Sequence, residues 1–432
     1  FGVMGRGFGR MGAARTKGVG GPSNNLFALV GDSRPAADHA NSTGTTIYHN
    51  VTGIGWWVQN LTGGRVRFKA SDDFAVGGST TEDMNAGPVA SAIASSAASV
   101  VLLSSTNDQA ANNWAASRSI AALTTAINAL LNAGKWLYVV AELPRGSSGF
   151  TAQRYTTQQE IDHGLVRAFL LGLANSHPRI KVIDAYPTIS DTGGVTTDYL
   201  AAQTHDGVHP SAFGAYTIAS VIAPIVLQRH AADSYAFNAS DVYNASTNPF
   251  GNLLPNGAMA GTSGSLTSGV TGSLADNTSA STGTFTGLSA VCSKVTTGTG
   301  NWQQVVVSGT SGAGTPILAF TQSVNYSNLS VNDKLEARGE WEVDAGSVGF
   351  KAPAFSLDRF NTGVSKGFSR SGANASIPWP TGATSGKWRS PSQVTILGDE
   401  NQVQGNTQLY IAPSTTVAFT FRFKNLDIRK AL

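Results

Sequence analysis

The chain has 432 residues, 41% of them hydrophobic, which is enough for substantial cores and long enough for two domains. Only 13% are charged and the formal net charge is +3, so the clustered Lys and Arg of a nucleic-acid binder are missing. The single cysteine, Cys292, excludes an internal disulfide and a thiolate metal site, and folding does not depend on an oxidising compartment.

Residues 1–25 are Gly-rich and carry Arg6, Arg10, Arg15 and Lys17, which reads as a flexible basic arm. The chain opens on Phe1 rather than Met, as a fragment or a processed chain would. Residues 1–21 lack the apolar centre of a secretory signal.

From Leu26 to His230, short apolar runs alternate with helical segments. The predicted strands are 26–31, 65–70, 99–105, 135–143 and 180–186. The predicted helices are 54–61, 83–96, 117–133, 157–176 and 212–227. Leu123, Ile127, Leu130 and Leu131 repeat at helical spacing, which marks a core-facing stripe. Apolar strands alternating with helices predict a parallel sheet covered on both faces, with ligands beyond the carboxyl ends of the strands. The run from Ala86 to Ser105 is uncharged, but Pro88 and the Ala/Ser content favour a helix followed by a buried strand over a membrane insertion.

Residues 231–250 are polar and aperiodic, as in a linker. Residues 251–432 show short alternating runs between Gly and Ser turns, the pattern of an all-β sandwich. Trp56-Trp57 precede Leu61 at helical spacing, which favours core packing over a sugar platform.

The first strand ends in Gly31-Asp32-Ser33-Arg34. A serine hydroxyl attacks only when a base removes its proton, and a carboxylate must orient that base. Among seven histidines, His209 stands three residues after Asp206, just before a helix. The same spacing also suits a helix start with Asp as cap and Pro210 in the first turn. Gly77-Gly78 follow the second strand, where backbone could approach a substrate closely. Asn107 follows the third and could donate an amide hydrogen bond to an oxyanion; both stretches also suit ordinary turns. Arg34, Glu142 and Arg145 could line the cleft. His205, beside the Asp206–His209 pair, reads as a bystander rather than a second base.

Ser33, Gly78, Asn107 and His209 fall in one order at the ends of successive elements, and here residues 26–230 resemble the SGNH branch of the GDSL hydrolases. Gly31-Asp32-Ser33 matches the first block, with Arg34 where Leu is usual. Residues 75–84 match the second, with Gly78 on its glycine. Ser105-Thr106-Asn107-Asp108 matches the third, with Ser105 where Gly is usual. Asp206-Gly207-Val208-His209-Pro210 matches the fifth. The resemblance implies a flavodoxin-like three-layer α/β hydrolase. In it Ser33 is the nucleophile, His209 the base and Asp206 its orienting acid. The oxyanion is held by the N–H groups of Ser33 and Gly78 with the Asn107 amide. No metal or cofactor is implied.

Gly251–Gly257 resembles the first strand of galactose-binding-like jelly rolls, which makes the expected substrate an acetylated polysaccharide. The alternatives are a non-catalytic glycan-binding or structural tail module and a lipolytic or aryl esterase. The Gly-rich start and the Ser/Thr/Ala/Asn-rich texture resemble phage tail-fibre proteins. That context implies an extracellular or virion-tail setting and, by analogy, a homotrimer.

Overall fold

The computed structural model describes residues 21–41, 46–191, 198–232, 241–297, 300–373 and 378–431. Most of the basic arm and residues 233–240 of the linker lie outside them.

Among the described residues, seven strands fall in the first half: β1 (Leu26–Gly31), β2 (His39–Asn41), β3 (Thr46–Asn50), β4 (Arg67–Asp73), β5 (Ser99–Leu103), β6 (Trp136–Val140) and β7 (Ile180–Ile183). Five of them form a parallel sheet in the order β4-β1-β5-β6-β7. This is the flavodoxin-like order, and its switch point lies between β1 and β5. Alternation along the strands sends residues to two faces. Ala28, Val30, Val100, Leu102, Leu137 and Val139 pack with Leu123, Ile127 and Leu130 of helix Ala116–Asn132. Phe27, Leu29, Val101, Leu103, Tyr138 and Val140 pack toward helices Ile54–Leu61 and Ala212–Arg229. Helix Ala212–Arg229 is long and apolar enough to cross a membrane, but its Ala215, Ile218, Ala219, Ile222 and Val226 are buried in this core.

The predicted helix 83–96 is two helices, Thr81–Ala86 and Pro88–Ala94, because Pro88 cannot continue the first and starts the second. The uncharged run ends in β5, as expected from its composition.

Among the described residues, the second half is a β-sandwich of a seven-stranded sheet and an eight-stranded sheet, two of whose strands come from the first half. Phe355 of strand Phe350–Asn361 meets Trp388 (4.8 Å) and Phe421 (6.4 Å) of the facing sheet. Gly251–Gly257 is not its first strand. That segment is a run of turns in which the buried Asn252 side chain accepts from the Leu254 and Ile428 N–H groups and donates to the Leu426 carbonyl. The strands begin at Ser263–Ser265.

β2 and β3 are absent from the sequence reading and belong to the other half. β3 pairs in parallel with Val364–Ala373, and β2 closes the edge of the eight-stranded sheet. One hydrophobic cluster accordingly runs through both halves. Trp56 packs edge-on against Trp57 (4.7 Å) and stacks on Trp341 (5.8 Å), while Trp57 meets Trp379 (5.1 Å). The Trp56 indole donates to Ser371 Oγ and the Trp341 indole to Asn60 Oδ1. Trp302, Trp341, Trp379 and Trp388 are all buried, so none offers a face to a sugar.

Candidate active site

The apolar β1 carries the chain to the sheet's switch point, where Gly31 turns it. A Cβ on Gly31 would lie 1.8 Å from the Leu103 carbonyl oxygen, so only glycine fits. Asp32 caps the short helix Ser33–Ala36, accepting from the Arg34 N–H at 2.9 Å. Ser33 is the first residue of that helix. Its N–H is one of the donors that a helix start leaves open, and it has no partner among the described residues.

On the opposite wall, Thr204 Oγ1 accepts from Gly207 N–H (2.8 Å) and donates to the His209 carbonyl (2.8 Å), which fixes the turn. Asp206 Oδ1 accepts from the backbone N–H of Val208 (2.9 Å) and His209 (2.7 Å). Its other oxygen meets His209 Nδ1 at 2.6 Å, and His209 Nε2 meets Ser33 Oγ at 2.8 Å. Partial burial pushes the Asp206 carboxyl up, but the hydrogen bonds from the His209 ring and the two N–H groups outweigh it. The carboxyl therefore lies well below the usual carboxylate range. The spacing that also suited a helix cap serves the Asp206–His209 pair alone. Ser211, not Asp206, caps helix Ala212–Arg229 by accepting from Gly214 N–H.

Ser79 N–H donates to the Val76 carbonyl across Gly77-Gly78, and Gly78 holds φ +80°, the conformation that the third position of such a turn requires. A Cβ on Gly77 would lie 3.8 Å from Ser33 Cβ, which sets this turn against Ser33. The Gly78 N–H has no partner among the described residues. Asn107 Nδ2 donates one proton to the Ser79 carbonyl (2.9 Å) and keeps a second. Buried Asp108 ties the two loops together, accepting from Thr81 N–H (2.9 Å) and Oγ1–H (2.7 Å).

Arg34 and Glu142 do not line a cleft. They are 1% and 0% exposed, because the guanidinium is turned inward onto two carboxylates. Arg34 donates to Asp32 from Nε (3.0 Å) and Nη2 (2.6 Å), and to Glu142 from Nη1 (2.8 Å). Burial pushes the Glu142 carboxyl up, but the Arg34 charge, with His163 nearby, holds it below its ordinary value. Ser105, at φ 124°, donates its Oγ–H to Glu142 Oε1 at 2.7 Å. Sequence reasoning missed this network. The signal was there in two positions, Arg34 and Ser105, that depart from the SGNH pattern. Arg145 is partly exposed and donates to Thr106 Oγ1 and to Gln153. His205 is exposed, stacks at 5.8 Å on His209 and bonds the Pro210 carbonyl through Nδ1, on the flank of the relay.

Among the described residues, two clusters bring ligand-type atoms within 4.8 Å, Asp38–His39–His49 and His205–Asp206–His209. In the first, the imidazoles stack at 4.3 Å and 13°, so their in-plane lone pairs run parallel rather than converging on one ion. His39 Nδ1 bonds Asp73 and His49 Nε2 bonds Asp38. In the second, the bond from His209 to Asp206 already occupies the facing atoms.

Comparison with curated proteins returned no match. Among solved structures, the chain is similar to a lipase/acylhydrolase from Enterococcus faecalis, with 19% identity, 49% of this chain and 100% of that one covered, and a TM-score of 0.37. It is similar to a carbohydrate esterase family 3 protein from Talaromyces cellulolyticus, with 18% identity, 47% and 96% covered, and a TM-score of 0.35. It is also similar to the enzymatically active domain of tailspike protein 4 of bacteriophage CBA120, with 11% identity, 42% and 21% covered, and a TM-score of 0.27. Residues 10–224 match the profile described as SGNH domain (fused to AT3 domains). With the switch-point serine and the blocks of residues around it, the first half of the chain is an SGNH domain.

Proposed function

We propose that the protein is a serine esterase that removes acetyl groups from a polysaccharide. The observation that carries this reading is the hydrogen-bonded relay from Ser33 through His209 to Asp206, beside the Gly77-Gly78 turn, whose Ser79 carbonyl accepts from the Asn107 amide.

Ser33 Oγ attacks the ester carbonyl carbon while His209 Nε2 takes the hydroxyl proton. The carbonyl electron pair moves onto oxygen, where the three donors receive the charge. Collapse expels the sugar oxygen, which takes the proton back from His209 and leaves acetyl-Ser33. Water, deprotonated by the same ring, then releases acetate and restores Ser33. Asp206 stays ionised, fixes the ring through Nδ1 and balances the imidazolium. The Gly77-Gly78 wall is exposed, which suits an ester carried on a polymer, and the sequence holds no long apolar lid for a fatty chain.

The test is release of acetate from an aryl acetate and from an acetylated polysaccharide, by the wild type and by Ser33→Ala. Activity that vanishes in a folded Ser33→Ala protein is the expected result. A wild type inert on both esters would shift the reading to a glycan-binding module. Preference for long acyl chains would shift it to a lipolytic enzyme.

A further inference from the structure

We infer that His205 is a positioning residue of the relay: by taking up its own proton it keeps His209 deprotonated in acid, so hydrolysis extends to lower pH than a lone His–Asp pair permits. This rests on the esterase reading and concerns the regulation of that same site.

The turn from Thr204 to Pro210 folds back on itself. Its two end residues form an antiparallel bridge, and His205 N–H donates to the His209 carbonyl at 3.3 Å. The two imidazoles are thereby set side by side, with ring centres 5.8 Å apart and planes within 20° of parallel. His205 Nδ1 lies 3.1 Å from the Pro210 carbonyl oxygen. A carbonyl only accepts, so Nδ1 carries a proton and Nε2 is the atom that titrates. That atom lies 3.8 Å from Asp206 Oδ2, the oxygen that meets His209 Nδ1 at 2.6 Å.

One carboxylate oxygen thus stands between two imidazoles. Neutral His205 turns a lone pair toward it and gives it nothing. When solvent places a proton on Nε2, the ring becomes a cation that draws on the charge of Asp206. An imidazolium at His209 then has less of that charge to itself and a like charge beside it. Both effects oppose protonation of His209. Partial burial pushes the Asp206 carboxyl up, but its bonds from the His209 ring and the two backbone N–H groups outweigh this, so it stays ionised throughout. Among the described residues, Asp206 and His209 are the titratable groups that face His205. The segment packed on the turn at Gly207 brings Phe150 and Gln153, neither of them charged. His205 is exposed, so its proton exchanges freely with water. For ring charges 5.8 Å apart with water close by, the coupling is on the order of one pH unit, and salt weakens it.

The experiment is the pH profile of kcat/KM on an aryl acetate, from about pH 8 downward, for the wild type, His205→Gln and His205→Arg. Thr204 Oγ1 and the backbone hold the turn, so neither variant removes what shapes it. The expected result is an acid limb displaced upward by on the order of one pH unit in His205→Gln, which cannot charge. His205→Arg, charged at every pH, keeps the limb at or below its wild-type position. Salt at about 1 M shrinks the difference between wild type and His205→Gln. An acid limb unmoved in His205→Gln, or displaced equally in both variants, overturns the inference.

NMR titration of the His209 ring in wild type and His205→Gln reads the same coupling without catalysis. A displaced titration in a protein inert on the aryl ester sinks the esterase reading and keeps the coupling. An unmoved titration sinks the coupling whether or not the ester is cleaved. If His205→Gln does not fold, the wild type decides alone: coupled rings give His209 a two-step titration, and a single step overturns the inference.

Discussion

Ser105 donates its Oγ–H to the buried Glu142 carboxylate at 2.7 Å from a backbone held at φ 124°, a conformation that side chains rarely adopt. Arg34 reaches the same carboxylate from the turn that carries Ser33. The two departures from the SGNH pattern therefore meet on one group. They bracket the loops that carry Ser33 and Asn107. Strain of about 1–3 kcal/mol at Ser105 and a charged hydrogen bond of about 1.5–3 kcal/mol nearly offset each other. Ser105→Gly loses both and is expected within about 1 kcal/mol of wild type in denaturant unfolding. Ser105→Ala keeps the strain and loses the bond, and is expected to be less stable than Ser105→Gly by about 1–2 kcal/mol. The reverse order would show that the backbone at Ser105 carries no such strain.

Arg34→Leu restores the usual residue but leaves two buried carboxylates facing each other without their cation. The expected loss is about 3–5 kcal/mol, measurable as a lower unfolding midpoint. Adding Glu142→Gln should recover part of it. No recovery in the double variant would mean that Glu142 is not the group the cation serves.

Asn107→Ala removes one proposed oxyanion donor without touching the relay. Under the proposed mechanism kcat on an aryl acetate falls on the order of a hundredfold or more while KM changes little. Loss confined to KM would assign Asn107 to substrate binding instead.

His230 lies against Phe27 and bonds Tyr138 Oη, and burial pulls its pKa down to about 4. The unfolded chain takes up this proton below about pH 6.5, whereas the folded protein does so only near 4. Stability from neutral His230 is complete above 6.5 and is lost as pH falls toward 4, on the order of 3 kcal/mol in all. Urea midpoints between pH 7 and 4 should fall more steeply in the wild type than in His230→Gln. Parallel curves would remove His230 from the account.

Trp56 is fully buried among Trp57, Trp341 and Trp379, drawn from both halves. Trp56→Ala is expected to cost about 3–5 kcal/mol. Because the core is shared, calorimetry of the wild type should show a single transition. Two well-separated transitions would contradict a common core.

The parallel sheet was legible because its signals are local. LFALVG, SVVLLSS and the Leu123–Ile127–Leu130 stripe each declare their element within one window. The relay was legible because Asp206 and His209 are close in sequence and only Ser33 is remote. β2 and β3 were hidden. They are short and polar, and β3 exists as a strand through its pairing with residues 364–373, more than three hundred positions away. The Arg34–Glu142–Ser105 network was hidden for the same reason, since Arg34 and Glu142 are 108 residues apart. A cation beside a candidate nucleophile reads as substrate-facing until the fold turns it inward.

The parallel pairing of Thr46–Asn50 with Val364–Ala373 also bears on how the chain is made. During synthesis the amino-terminal hydrolase sheet emerges first, at about 5–20 residues per second. Its β2–β3 ribbon then waits many seconds for the strand that completes it. Over that interval an unpaired edge and the Trp56–Trp57 surface face water, both invitations to association. Closing so long a loop is slow. A ribosome-stalled or truncated chain lacking residues 364–373 is therefore the species most in need of a chaperone.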